Sequence, residues 1–318
     1  MADISVIICT RDRASDLALT LESLGHVRIP LGRPVELLVV DNGSRDHTVE
    51  VAKSWRPQPG LVMRYLHVPT PGKGYAYNAG IKAAKGDILL FTDDDVRLPE
   101  NWIEGMIWPI ESGCADAVAG GVRIAPHLMR PWMTPKIQRM LSSTIGRPIN
   151  SPWSFIGANM CFHRRVLSAI SRIDESIGPG TRYGYAEESL FAFQLVESGY
   201  NLITEFDVEV EHHFPLARLR ACSMLRIAFH MGMSFAYIDW HWRQRGPDSF
   251  RKALLWQSIR LVPLIPRMLF LSMCKKEKSI RESELAMAEK FAYLIQYNRE
   301  TRRAQNYQMR GRVKLRGH

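Results

Sequence analysis

Residues 1–125 alternate apolar strand runs with helical patterns in a strict order, and this restricts the chain to a small set of folds. Ile4–Cys9 (ISVIIC) is a continuous apolar run of strand length, stopped by the polar Thr10-Arg11-Asp12-Arg13. Ala14–Leu24 then repeats its leucines at helical spacing, at Leu17, Leu21 and Leu24. Val35–Val40 (VELLVV) is a second strand, ended by the turn cluster Asp41-Asn42-Gly43-Ser44, and Asp46 is positioned to cap a helix over Thr48–Trp55. Val62–His67 reads as a third strand, Tyr75–Ala84 as a helix, and Asp87–Thr92 (DILLFT) as a fourth strand. Pro99 is expected to open a further helix, and Ala117–Ile124 closes the series as a strand.

Continuous apolar strands separated by helices predict an α/β fold: a mostly parallel central sheet flanked by helices on both faces. In such sheets ligands sit beyond the carboxyl ends of the strands. Here those ends carry Thr10–Arg13, Asp41–Gly43, the loop Pro69–Lys73 and Asp93-Asp94-Asp95, so four polar clusters converge on one edge. After Ile124 the alternation stops in a Pro- and Trp-bearing stretch to Trp153. It resumes with a strand at Phe155–Phe162, a short helix at Arg164–Ile170 and a longer one at Glu187–Ser198. Tyr200–Glu211 reads as extended chain, with Val208, Val210 and His212 on one side.

Charge divides the chain at about residue 215. Residues 1–215 hold 21 Lys/Arg and 25 Asp/Glu, while residues 216–318 hold 21 Lys/Arg and 7 Asp/Glu. We expect a domain over 1–215, in two halves (1–125 and 126–215), followed by a basic helical C-terminal extension over 216–318 that faces something anionic. The five cysteines (Cys9, Cys114, Cys161, Cys222, Cys274) have no C-x-x-C spacing, which excludes a cysteine zinc motif and fits a reducing cytoplasm. The opening MADISVIICTRDR lacks the basic and long apolar regions of a signal peptide.

Three motifs carry chemistry. Three adjacent carboxylates, Asp93-Asp94-Asp95, repel one another at a strand end unless a cation or donors compensate, and two of them at i and i+2 can share a divalent metal that also binds phosphate. A solvated acidic turn is the bland alternative. Thr70-Pro71-Gly72-Lys73-Gly74 places a lysine between glycines before a helix, which favours an anion, although Gly-Lys-Gly also occurs in plain turns and this is not a Walker motif. Glu187-Glu188 opens a helix after Gly178-Pro179-Gly180 and Gly184; it either complements the helix dipole or supplies a general base. His212-His213 is compatible with a metal ligand or a buried strand histidine.

Taken together, SVIICTRDR, ELLVVDNGSRD, GKGYAYNAGIKAAKGDILLFTDDD, GANMCFHRR, YAEESLFAFQLVESGYN and VEVEHH resemble family 2 glycosyltransferases, the large inverting family with the Rossmann-like A-type nucleotide-binding fold. The resemblance runs from about Ser5 to about His213, roughly two-thirds of the chain. It implies that Thr10, Arg11 and Arg13 line the base and ribose, that Asp41 accepts from the base, and that Gly72, Lys73 and Asn78 sit near the base and diphosphate. By the same resemblance Asp93 and Asp94 reach the ribose and metal, Asp95 and His212 ligate Mn2+ or Mg2+, and Asn159 and Arg164 shape the sugar pocket. The family usually has Glu-Asp where this chain has Glu187-Glu188, so the base becomes Glu188, one methylene longer. The implied reaction moves a sugar, with inversion, from a nucleotide-diphosphate donor to a hydroxyl of a glycan or lipid-linked acceptor.

Leu254–Cys274 is the most hydrophobic stretch, but Arg260 and Arg267 argue against a span, since one charge near a bilayer centre costs ~2.5–3.5 kcal/mol. An interfacial helix beside Lys275-Lys276-Glu277-Lys278, peripheral on the inner face of the plasma membrane, is one expectation; a packed helical appendage or an oligomer contact is the other. No nucleic-acid recognition motif accompanies the charge. The rival functions are a nucleotidyltransferase, which would carry a longer Gly-rich loop after the first strand, and a non-catalytic nucleotide-sugar-binding protein.

Overall fold

The computed structural model describes residues 4–246, 280–309 and 312–315, together with 266, 267, 270 and 273. The expected runs form strands β1 (Ile4–Thr10), β2 (Val35–Asp41), β3 (Leu61–His67), β4 (Ile88–Asp93), β6 (Ala117–Ile124), β7 (Asn159–His163) and β8 (Leu202–His212), and a two-residue β5 (Val96–Arg97), not expected from the sequence, is added. They build one eight-stranded sheet in the order β3-β2-β1-β4-β7-β6-β8-β5. β1 pairs in parallel with both β2 and β4, and β2 with β3, so the chain turns back across β1 and opens a crevice at the carboxyl ends of β1 and β4. β7 runs antiparallel to β4 and β6, and β8 lies parallel to β6, which makes the sheet mixed.

Strand pleating sorts the core. Val6 and Ile8 join one buried cluster with α1 (Ala14–Leu24) and α4 (Trp102–Glu111), while Ile7 and Cys9 join another with α3 (Lys73–Ala83) and α6 (Glu187–Glu197). Two helices start differently from expectation. α4 begins at Trp102 behind Asn101, and Pro99 lies in the preceding turn with its carbonyl accepting from the Trp102 N–H. α2 (Thr48–Ser54) is preceded by His47 rather than Asp46, yet Asp46 accepts from the N–H of Thr48 and also from that of Ala14, tying two helix starts together. The strand expected from Phe155 begins only at Asn159, because Pro152–Ser154 forms a 3-10 turn before it.

The C-terminal part packs against the sheet domain. α5 (Pro135–Met140), α7 (Ala221–His241) and α8 (Glu282–Glu300) share a core with Ile124, Leu128 and Phe214, and a second cluster joins Ile177, Tyr183 and Leu190 to Tyr237, Trp242 and Tyr307. The end of the chain, expected to be helical, forms an antiparallel hairpin of β9 (Tyr307–Met309) and β10 (Arg312–Leu315). Among the described residues no helix is long and apolar enough to cross a membrane. Apart from residues 266, 267, 270 and 273, the interfacial segment expected at Leu254–Cys274 lies outside the described residues.

Candidate active site

The carboxyl edge of the sheet is tied together by the turn residues that end its strands. Asp12 adopts φ 51°, its N–H donates to Ser44 Oγ, and its carboxylate accepts from the Arg45 N–H, so the loops after β1 and β2 are joined. Asn42 donates to the carbonyls of Val68 and Thr70 and accepts from the Gly72 N–H at 2.8 Å, which brings the Gly72-Lys73 loop to the same edge. Buried Thr20 on α1 donates to the Asp94 and Val96 carbonyls and so pins the acidic turn. Above this edge lies a pocket of about 580 Å³.

Thr10, Arg11, Arg13, Gly72, Lys73, Asp93, Asp94, Asp95, Glu187, Glu188 and His212, all expected from sequence, line that pocket. The three acids are compensated. Arg13 Nη1 lies 3.1 Å from Asp94 and 2.5 Å from Asp95, and Lys73 Nζ is 2.6 Å from Asp93 and 5.1 Å from the Tyr77 ring centre. Burial and the neighbouring Asp95 charge push the Asp94 carboxyl up to about 7 against the pull of Arg13. Asp95 is buried as well, but His212 and Arg13 outweigh that burial and hold its carboxyl well below the usual range.

β5 explains how Asp95 meets His212. Val96 pairs with His212 across the antiparallel β5–β8 contact, and the His213 N–H donates to the Asp95 carbonyl at 2.7 Å. His212 Nε2 then sits 3.3 Å from Asp95 Oδ1, while Nδ1 is 3.2 Å from the Leu141 carbonyl. With Nδ1–H donating to that carbonyl, Nε2 turns a lone pair toward a carboxylate, an arrangement that needs a second proton or a shared cation. A carboxylate suits Mn2+ or Mg2+, and an imidazole beside it favours the softer Mn2+; either ion would take its remaining ligands from phosphate and water. Among the described residues no group of three or more His, Cys, Asp or Glu side chains forms a metal cage.

Opposite the acidic turn stands the Gly-rich loop before α6. Gly178, Gly180 and Gly184 have positive φ, and Ala186, immediately before Glu187, is also left-handed at φ 70°. A non-glycine residue is held there only when its surroundings dictate it, as at functional sites. Glu187 is 2% exposed and packs behind Gly178, where a Cβ would come within 2.8 Å of its carboxyl carbon. Burial, then the Glu188 charge, push the Glu187 carboxyl well above the carboxylate range. Glu188 is half-buried, and its Oε2, shut off from solvent, has no hydrogen-bond partner among the described residues.

Four expected residues do not line the pocket. Asp41 is fully buried and accepts from the Ser44 N–H and the Tyr65 hydroxyl. Asn78 brackets the backbone of Ile173 and donates to Glu175. Asn159 lies beside Thr92 in the sheet, but it donates to the Gly121 and Val208 carbonyls and accepts from Trp102 Nε1. Arg164 follows β7, which runs antiparallel, so it emerges at the amino end of β4 and donates to the Gly86 and Ala84 carbonyls. Instead, Asn42, Tyr185, Arg218 and His230 complete the walls. Asn42 sits inside a recognised turn cluster; Arg218 and His230 carry no sequence signal beyond the basic composition of the tail.

Comparison with known proteins agrees with this geometry. The family described as "Glycosyl transferase family 2" matches residues 5–170. A succinoglycan biosynthesis protein, ExoM, of Rhizobium meliloti (strain 1021) is 30% identical over 132 residues, covering 40% of this chain and 42% of that protein. Glycosyltransferase AglE of Haloferax volcanii is 31% identical over 119 residues, covering 37% of this chain and 39% of its own length. The chain thus spans less than half the length of these two relatives. Among solved structures, a mannosyltransferase of Pyrobaculum calidifontis in complex with GDP-Man and Mn2+ superposes with a TM-score of 0.61 at 19% identity, covering 94% of this chain and 86% of that one, which shows a shared fold.

Proposed function

Because the chain belongs to glycosyl transferase family 2, we propose that it moves a sugar from a nucleotide-diphosphate donor to the hydroxyl of a glycan or lipid-linked acceptor, with inversion. The observation that carries this reading is the pairing, across one pocket, of a charged phosphate-sized edge with the partnerless Glu188 Oε2. Thr10, Arg11 and Arg13 line the nucleoside side, and Lys73 at the start of α3 faces the diphosphate, where helix N–H groups favour an anion. Asp95 and His212 would hold a divalent cation, which supplies charge neutralisation to the departing diphosphate.

Glu188 takes the proton from the acceptor hydroxyl as that oxygen bonds to the anomeric carbon. On the opposite side the bond to the diphosphate breaks, and its electron pair leaves with the phosphate oxygen. Glu187, held toward its neutral form by burial and by the Glu188 charge, stands beside Glu188 in the first turn of α6. The basic balance of residues 216–318 suits a peripheral position on an anionic membrane surface, where a lipid-linked acceptor would be met.

The test is a screen of UDP-, GDP- and dTDP-sugars for hydrolysis with Mn2+, Mg2+ or chelator. We expect one nucleotide class to be turned over and chelator to stop it. Tight nucleotide binding with no turnover of any donor, with or without acceptor extracts, would instead identify a binding protein.

A further inference from the structure

The loop that leads into Glu187 and Glu188 at the start of α6 has no regular structure to hold it, and three of its glycines adopt positive φ. Its order comes from outside. At its start Asp174 is nearly buried, and its Oδ2 accepts from the hydroxyls of Tyr237 on α7 and Tyr307 on β9, both at 2.7 Å. The side-chain amide of Asn306 donates in turn to the Tyr237 hydroxyl at 2.6 Å. Near its end the Tyr183 hydroxyl donates to Glu300 on α8 at 2.6 Å, and the Tyr183 carbonyl accepts from Ser234 on α7.

Glu300 is itself fixed. His241 Nδ1 accepts from the Asn306 N–H, which leaves Nε2–H to donate to the second Glu300 oxygen at 3.2 Å. Burial opposes the Glu300 charge, but hydrogen bonds from His241, Tyr183 and Gln296, with Arg303 nearby, hold its carboxyl down to about 2. None of Asp174, Tyr183, Tyr237, Glu300 and Tyr307 lines the active-site pocket, so catalysis does not use them directly. Buried polar groups tied this fully specify one arrangement of the segments that they join.

We propose that Asp174 with Tyr237 and Tyr307, and Tyr183 with Glu300, are positioning residues for Glu188: the C-terminal helices and strand β9 clamp both ends of the loop and so set where its carboxylate meets the acceptor. This rests on Glu188 acting as the base. The test uses the full-length protein with Tyr307→Phe and Tyr183→Phe, each of which removes one hydroxyl and keeps the ring in its core. Turnover is read with UDP-GlcNAc or GDP-mannose, whichever the wild type hydrolyses, and Mn2+–UDP affinity by calorimetry.

Misplacing a catalytic group by about 1 Å costs on the order of 10²-fold. We therefore expect kcat to fall roughly ten- to a hundredfold in each variant, with donor KM and Mn2+–UDP affinity within about twofold of wild type. A purely structural role would instead lower melting temperature and weaken donor binding together with kcat, and that pattern overturns the proposal. Wild-type kcat in both variants, with Glu188→Gln inactive, also overturns it and leaves the base assignment standing. An active Glu188→Gln overturns the base assignment and this role with it. Hydrogen exchange on the wild type gives a variant-free check: amides of residues 174–186 should exchange as slowly as those of α7. Fast exchange there beside a protected α7 counts against the clamp.

Discussion

On the wall built from the ends of β1, β2 and β4, each pocket-lining cation already has a carboxylate: Arg11 lies 3.6 Å from Asp12, Arg13 bridges Asp94 and Asp95, and Lys73 meets Asp93. The facing wall differs. Arg218 stacks on Phe214, 5.5 Å from the ring centre, with no carboxylate in ion-pair contact among the described residues, and Glu188 keeps a buried oxygen without a donor. The first wall is preorganised, since its charges are held in place before a ligand arrives and need little rearrangement. The second holds polar groups without such partners, and burying a group unpaired has a desolvation cost. Under the proposed function, binding falls on the first wall and the chemical step on the second.

The largest effect should come from the partnerless carboxylate. Glu188→Gln should lower turnover by about 10²–10⁴-fold while nucleotide affinity stays near wild type. Glu187→Gln should cost only a few-fold, because glutamine reproduces the neutral donor that burial already makes of Glu187. If the variant at 187 is dead and that at 188 is active, the roles are reversed.

The paired wall is tested next. Asp95→Ala should weaken Mn2+-dependent UDP binding by at least about 10- to 100-fold and leave Arg13 without its closest partner. Equal affinities with and without Mn2+ in the wild type would remove the metal from the reading. A smaller change is expected of Arg218→Ala. Losing one charge-assisted hydrogen bond to phosphate, worth about 1.5–3 kcal/mol, should weaken UDP roughly tenfold or more while leaving the nucleoside alone unaffected. Equal losses for UDP and uridine would place Arg218 against the base instead.

The mildest effect concerns the tail. Vesicles containing anionic lipid should bind the full chain a few-fold less well as salt rises to 0.1 M, where exposed charges are screened beyond about 10 Å. Indifference to such vesicles at low salt would favour the packed arrangement seen for α7 and α8.

Much of the nucleotide edge was legible because its signals are local. An apolar run followed at once by a turn cluster marks a strand end, and strand ends of a parallel sheet share an edge, so Thr10, Lys73 and Asp93–Asp95 were placed together from their spacing alone. The errors arose where direction, not position, decides. Asn159 is adjacent to the site along the sheet, but its side chain points into the core under Gly120 and donates to the Gly121 carbonyl. Arg164 lies one strand length away, because β7 reverses direction, and no pattern in GANMCFHRR records that reversal.

What the sequence determined by itself is therefore the fold class, the order of the nucleotide half and the acid-bearing loops, all set by periodicity and turn chemistry within about ten residues. Only tertiary structure decided which of these groups meet. The Asp95–His212 contact depends on two residues of β5 pairing with β8, Val96 with His212 and Arg97 with Glu211, far apart in the chain. The loop before Glu188 is hydrogen-bonded to Glu300 and Tyr307 from far along the chain, through Tyr183 and Asp174. Such contacts form between buried polar groups whose partners must lie within hydrogen-bond reach, and that reach is a property of the packed core rather than of any local run of residues.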